Sequence, residues 1–170
     1  DLSVKALRGN VPTRLEKLHD GHYDAIVLAA AGLDRLGLGD HISLRLPESE
    51  FLPAPGQGAI AIQTRADSLA VNEMISSLDH VATHQAVSAE RGFLKRIEGG
   101  CQAPAGAIAQ VQNGRVQVTA RVCSVDGTRT ADGRAEGPAA EAARVGEMAA
   151  QMAADAGGRQ ILDEIRAASG

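Results

Sequence analysis

Residues 107–135 read AIAQVQNGRVQVTARVCSVDGTRTADGRA, and this stretch decides the fold of the C-terminal part of the chain. Three strand-like runs occupy 107–111, 116–125 and 128–135. Asn113-Gly114 and Asp126-Gly127 separate them. Both central residues of a type I′ turn need positive φ, which these dipeptides supply, so the spacing predicts a three-stranded antiparallel meander. Ahead of it, Ala86, Val87, Phe93, Leu94 and Ile97 predict a helix over 83–97, stopped by Gly99-Gly100. Behind it, an Ala-rich stretch predicts a helix over 138–156 and a second over 160–168, with Gly157-Gly158 between them. The expected product is a small α+β domain.

The first third has a different rhythm. Residues 2–7 alternate apolar and polar, Arg8-Gly9-Asn10 interrupts, and Val11-Pro12-Thr13 opens a helix to about His19 with its proline in the first turn. Asp20-Gly21-His22 ends it. Residues 25–29 form a continuous apolar run of the kind buried on both faces, and a short helix follows over 32–37. Strand, helix, strand, helix in this order predicts part of a parallel or mixed doubly wound α/β sheet with right-handed crossovers. Residues 46–58 hold three of the six prolines and mark a hinge, after which 59–64 reads as a strand and 68–78 as a helix. Leu69, Val71, Met74, Ile75 and Leu78 share roughly one face of that helix.

Composition narrows the functional classes. The chain of 170 residues is 44% hydrophobic and 22% charged, with a net charge of −4, which fits one large or two small soluble domains. Aromatics are 2% with no Trp, arguing against a nucleic-acid groove with stacking rings. No apolar run approaches a membrane span and no leader-like segment opens the sequence. Cys101 and Cys123 are too few for a disulfide scaffold and suit the cytoplasm.

Several residues could carry chemistry. Arg8, Arg14 and Arg35 lie near the expected strand ends, where helix N-termini form an anion-binding rim and guanidiniums grip carboxylates with two hydrogen bonds. The alternative is solvated surface arginines. No phosphate loop of the Walker type accompanies them, which favours carboxylate ligands. Cys101 sits in Glu98-Gly99-Gly100-Cys101-Gln102-Ala103-Pro104, a loop that admits a bulky group to the sulfur, or else holds a buried structural thiol. Cys123 fits the structural reading and is given no role. A cysteine hydrolase would need His80 or His84 beside Cys101, and the five histidines form no ligand-spaced metal cluster with the cysteines. A non-enzymatic carboxylate-binding module is the other alternative.

Leu7-Arg8-Gly9-Asn10-Val11-Pro12-Thr13-Arg14-Leu15, Tyr23-Asp24-Ala25-Ile26-Val27-Leu28-Ala29, Ala31-Gly32-Leu33 and Arg35-Leu36-Gly37 are followed by Pro55-Gly56-Gln57-Gly58-Ala59, Ala89-Glu90-Arg91 and Glu98-Gly99-Gly100-Cys101-Gln102. In this order they resemble porphobilinogen deaminase (hydroxymethylbilane synthase), over essentially the whole chain. The resemblance implies a transferase of heme-type tetrapyrrole biosynthesis that polymerises porphobilinogen into hydroxymethylbilane with release of ammonia. By the same resemblance a dipyrromethane cofactor is joined through a thioether to Cys101, Arg8, Arg14 and Arg35 bind the acetate and propionate groups of the pyrroles, and Gln57 lines the cleft. It further implies that 1–58 is the later half of a second, solute-binding-protein-like domain. Residues 59–78 would cross back to a first domain, and 79–170 would be the C-terminal domain carrying the cofactor cysteine. The family's catalytic carboxylate belongs to that first domain and has no counterpart here. The expected partners are therefore porphobilinogen, the growing chain and the first domain, and the isolated chain is expected to be inactive.

Overall fold

The computed structural model describes residues 2–97 and 104–169, arranged as two compact units, Asp1–Pro47 and Glu48–Gly170. In the first unit, helix α1 (Val11–His19) starts where the Asn10 side chain accepts a hydrogen bond from the Thr13 N–H at 3.0 Å, the usual N-cap arrangement. Pro12 occupies the first turn, where its missing N–H leaves no bond unmade, while Lys17 and His19 sit favourably at the negative end of the helix dipole. Helix α2 (Ala30–Arg35) follows, and a Cβ built on Gly32 would lie 3.5 Å from Val11 of α1. Leu15 and Leu33 are the buried apolar residues of this unit, and the Tyr23 hydroxyl donates to the Ala6 carbonyl at 2.8 Å.

Residues 2–7, 25–29 and 59–64, expected as strands, form no ladder among the described residues. The reason is lateral. An extended segment is stabilised only when its N–H and C=O groups meet neighbouring strands, and none of the described residues provides such neighbours. Val4 is accordingly 97% exposed and Ile60 93%. The helix expected over 68–78 is present as α3 (Leu69–Ser76), but none of its residues is buried, and Leu69, Met74 and the following Leu78 stand largely open.

The second unit contains the core. Helix α4 (Val81–Arg96) is capped by His80, whose Nδ1 accepts from the Thr83 N–H. Strands β1 (Ala105–Gln112), β2 (Arg115–Cys123) and β3 (Thr130–Pro138) form the expected antiparallel sheet in the order β1-β2-β3. Asn113 and Gly114 make the two-residue turn with φ of 51° and 72°, pairing Gln112 with Arg115. On β2, Val116, Val118, Ala120 and Val122 are fully buried, alternating with more exposed residues as the pleat requires.

The second turn departs from the expected type I′ hairpin, because only Gly127 has positive φ there. A longer loop over 124–129 is built around Asp126, whose Oδ1 accepts from the Ser124 hydroxyl at 2.5 Å, the Thr128 hydroxyl at 2.9 Å and the Thr128 N–H at 3.1 Å. These bonds hold the Asp126 carboxyl down at about 2, the Ser124 bond contributing most.

The region expected as one helix over 138–156 is divided. Pro138 closes β3, a single 3₁₀ turn spans Ala139–Glu141, and α5 runs over Ala142–Ala153. A wider turn, Ala154–Gly158, with Gly157 at φ 106°, leads into α6 (Arg159–Ser169). Helices α4 and α5 cross through glycine. A Cβ on Gly92 would lie 2.1 Å from the Ala143 carbonyl oxygen, and one on Gly146 would lie 1.8 Å from that of Ala89. With only two Phe, one Tyr and no Trp, the core is filled by bringing backbones close together.

Candidate functional site

Arg8 and Arg14 flank the turn that opens α1, and side chains of α1 itself hold this turn. The Arg14 Nε donates to the Gly9 carbonyl at 2.7 Å and the Lys17 ammonium to the Arg8 carbonyl at 2.9 Å. Gly9 has φ 127°, a conformation open to glycine and strained for residues with a Cβ. Arg8 therefore leaves a fixed backbone, exposed, and its guanidinium has no hydrogen-bond or ion-pair partner among the described residues.

Arg35 is the last residue of α2. Its neighbour Asp34 is already engaged by Arg45 through two bonds of 2.7 and 3.1 Å. The Arg45 hydrogen bond holds the Asp34 carboxyl below its usual value. Arg35 is exposed and likewise has no partner among the described residues. Of the four arginines in this unit, Arg45 pairs with Asp34 while Arg8, Arg14 and Arg35 have no ion-pair partner among the described residues, which suits a ligand that brings its own carboxylates.

Gln57 belongs to the second unit. It is exposed on a turn closed by its N–H donating to the Ala54 carbonyl at 3.1 Å, between Gly56 and Gly58, with φ of 81° and 82°. Cys101 lies outside the described residues. Cys123 is half-buried and burial raises its thiol above the usual range. His80 caps α4 and His84 pairs with Asp79 at 3.2 Å, so both serve the start of that helix. Among the described residues no cluster of three His, Cys, Asp or Glu side chains is arranged to hold a metal ion, and no helix is long and apolar enough to cross a membrane.

One residue escaped the reading of side-chain chemistry in the sequence. Glu90 of α4 is 7% exposed, and its carboxylate accepts two backbone N–H groups, Gly56 at 2.6 Å on Oε2 and Ala109 of β1 at 2.9 Å on Oε1. The available signal was its position. Glu90 shares the helical face of Ala86, Phe93 and Ile97, where an apolar residue is the norm.

The chain matches known proteins along nearly its whole length. The family model described as "Porphobilinogen deaminase, dipyromethane cofactor binding domain" matches residues 1–73, the part containing Arg8, Arg14, Arg35 and Gln57. That described as "Porphobilinogen deaminase, C-terminal domain" matches residues 84–155. Among curated proteins, porphobilinogen deaminase of Desulforudis audaxviator is 46% identical over 98% of this chain and 54% of its own length. That of Carboxydothermus hydrogenoformans is 43% identical over 98% of this chain and 53% of its own length. That of Chromobacterium violaceum is 44% identical over 98% of this chain and 54% of its own length. The chain spans about half the length of the curated relatives it matches, and it belongs to the porphobilinogen deaminase family.

Proposed function

We propose that this chain is the part of a cytoplasmic transferase that polymerises porphobilinogen into hydroxymethylbilane with release of ammonia. The observation that carries this reading is that Arg8, Arg14 and Arg35 have no ion-pair partner among the described residues, within the segment matched by a cofactor-binding family model. Their chemistry fits a dipyrromethane, whose pyrroles carry acetate and propionate groups. Arg8, Arg14 and Arg35 would hold those carboxylates, Gln57 would line the cleft, and Cys101 would anchor the cofactor through a thioether. When bound, the cofactor supplies the primer to which pyrrole units are added. The chain's own residues neutralise the carboxylates and orient each unit, as bidentate guanidinium contacts do well.

In the same reading, residues 2–7 and 25–29 are strands of a doubly wound domain spanning 1–58, and 59–78 crosses towards the remainder of the enzyme. Residues 79–170 form the C-terminal domain. The partners are porphobilinogen, the growing polypyrrole and the rest of the same protein, without nucleic acid or membrane.

The test is turnover together with intact mass. The full-length protein carrying this sequence is expected to convert porphobilinogen and to carry a covalent dipyrromethane, which Cys101→Ser removes along with activity. The 170-residue chain alone is expected to show no turnover. Full activity and a retained dipyrromethane in Cys101→Ser would overturn the assignment.

A further inference from the structure

We propose that Glu90 is a positioning residue. It fastens the Pro55-Gly56-Gln57-Gly58 turn to helix α4, and thereby fixes Gln57 for contact with a carboxylate-bearing pyrrole unit. This rests on the function proposed above and adds a residue to its machinery.

Beyond the Gln57 N–H bond to the Ala54 carbonyl, the turn has little stiffness of its own. Gly56 and Gly58 bracket Gln57 at positive φ, and a Cβ built on either glycine would meet nothing within 4 Å. Two attachments to the rest of the second unit hold the turn in place. The Ala107 N–H on β1 donates to the Pro53 carbonyl at 3.0 Å, so the chain enters the turn along the sheet edge. The Gly56 N–H then donates to Glu90 at 2.6 Å, while the other oxygen of that carboxylate accepts from Ala109 at 2.9 Å. One side chain thus ties the turn, the sheet edge and α4 together, one residue away from Gln57.

A carboxylate suits this place because two donors converge and acceptors alone are needed. An amide would aim its NH₂ at one of the two N–H groups. Glu90 has no cationic partner among the described residues, and a buried charge without a counter-ion is a poor means of gaining stability. What the arrangement provides is a defined geometry. Since α4 leads through Ile97 into the segment that contains Cys101, the same helix carries the latch for Gln57 and the route to the cofactor cysteine.

Two measurements decide this. In the 170-residue chain, Glu90→Gln is expected to speed amide hydrogen exchange at Gly56 by roughly tenfold or more, leaving the centre of β2 protected. Unchanged exchange at Gly56 overturns the latch. Glu90→Asp, too short to span both donors, is expected to give the same local release and serves if the Gln variant does not fold. In the full-length protein, Glu90→Gln is expected to lower kcat/KM for porphobilinogen by roughly tenfold, but by less than about twofold in a Gln57→Ala background. Fully additive losses would assign Glu90 a structural role alone and overturn the proposal. An inactive full-length wild type would count against the proposed function, while the exchange measurement still decides the latch.

Discussion

Side chains repeatedly take over the satisfaction of backbone N–H groups in this protein: Asn10 for Thr13, Asp126 for Thr128, and Glu90 for Gly56 and Ala109. Asp126 gives this a measurable pH dependence. Its folded carboxyl titrates at about 2, below the ordinary carboxylate value, first because of the Ser124 hydroxyl and then the Thr128 N–H and hydroxyl. A depressed folded value means that the stabilisation is complete above the unfolded value of about 4 and is lost as pH falls through about 2. Asp126→Asn cannot titrate, so the urea midpoints of wild type and variant are expected to converge as pH drops from about 4 to about 2. A difference constant across that window would contradict this origin. From the sequence Asn10 read only as a break before α1, although its partner lies three residues away, within one helical turn. Glu90 was not legible, because its donors are 34 and 19 residues away, and a pattern search for apolar faces passes over a lone carboxylate.

Among whole elements, Asn113-Gly114 placed the first hairpin, Asp126-Gly127 placed the second connection without its type I′ geometry, and strand pattern alone was not dependable. In β2, Val116, Val118, Ala120 and Val122 alternate towards the core. The apolar runs at 2–7, 25–29 and 59–64 carry comparable patterns, yet none pairs among the described residues. Alternation specifies which side of a strand faces a core, and hydrogen-bonded neighbours must come from elsewhere in the chain. The crossing of α4 and α5 was equally hidden, since Gly92 and Gly146 read locally as weak helix formers. Their effect is a matter of contact. Gly146→Ala improves intrinsic helix propensity by about 1 kcal/mol, but its Cβ would meet the Ala89 carbonyl oxygen at 1.8 Å and force the helices apart. We expect a net destabilisation of about 1–3 kcal/mol in chemical denaturation, the usual range for overpacking. A variant as stable as wild type would show that the two helices separate easily.

For the molecule as a whole, the distribution of buried apolar residues decides which part can stand alone. The continuous core runs from Ala89 to Leu162 and lies entirely in the second unit, where α4 and α5 cover one face of the sheet. The first unit buries Leu15 and Leu33 as its apolar residues, and chains near 40 residues seldom fold without disulfides, metals or partners. Asn10 caps α1 while α2 has no side-chain cap, and a cap contributes only about 1 kcal/mol, far from enough to order the rest of the unit. Residues 48–170 expressed alone are therefore expected to give a cooperative thermal transition and the amide dispersion of the antiparallel sheet. Residues 1–47 alone are expected to give the narrow dispersion of an unfolded chain. In the intact chain, α1 amides should exchange well before those of β2, because local opening there breaks few apolar contacts. A single cooperative unit, with α1 protected as strongly as β2, would mean that the first unit draws its stability from contacts other than its own core.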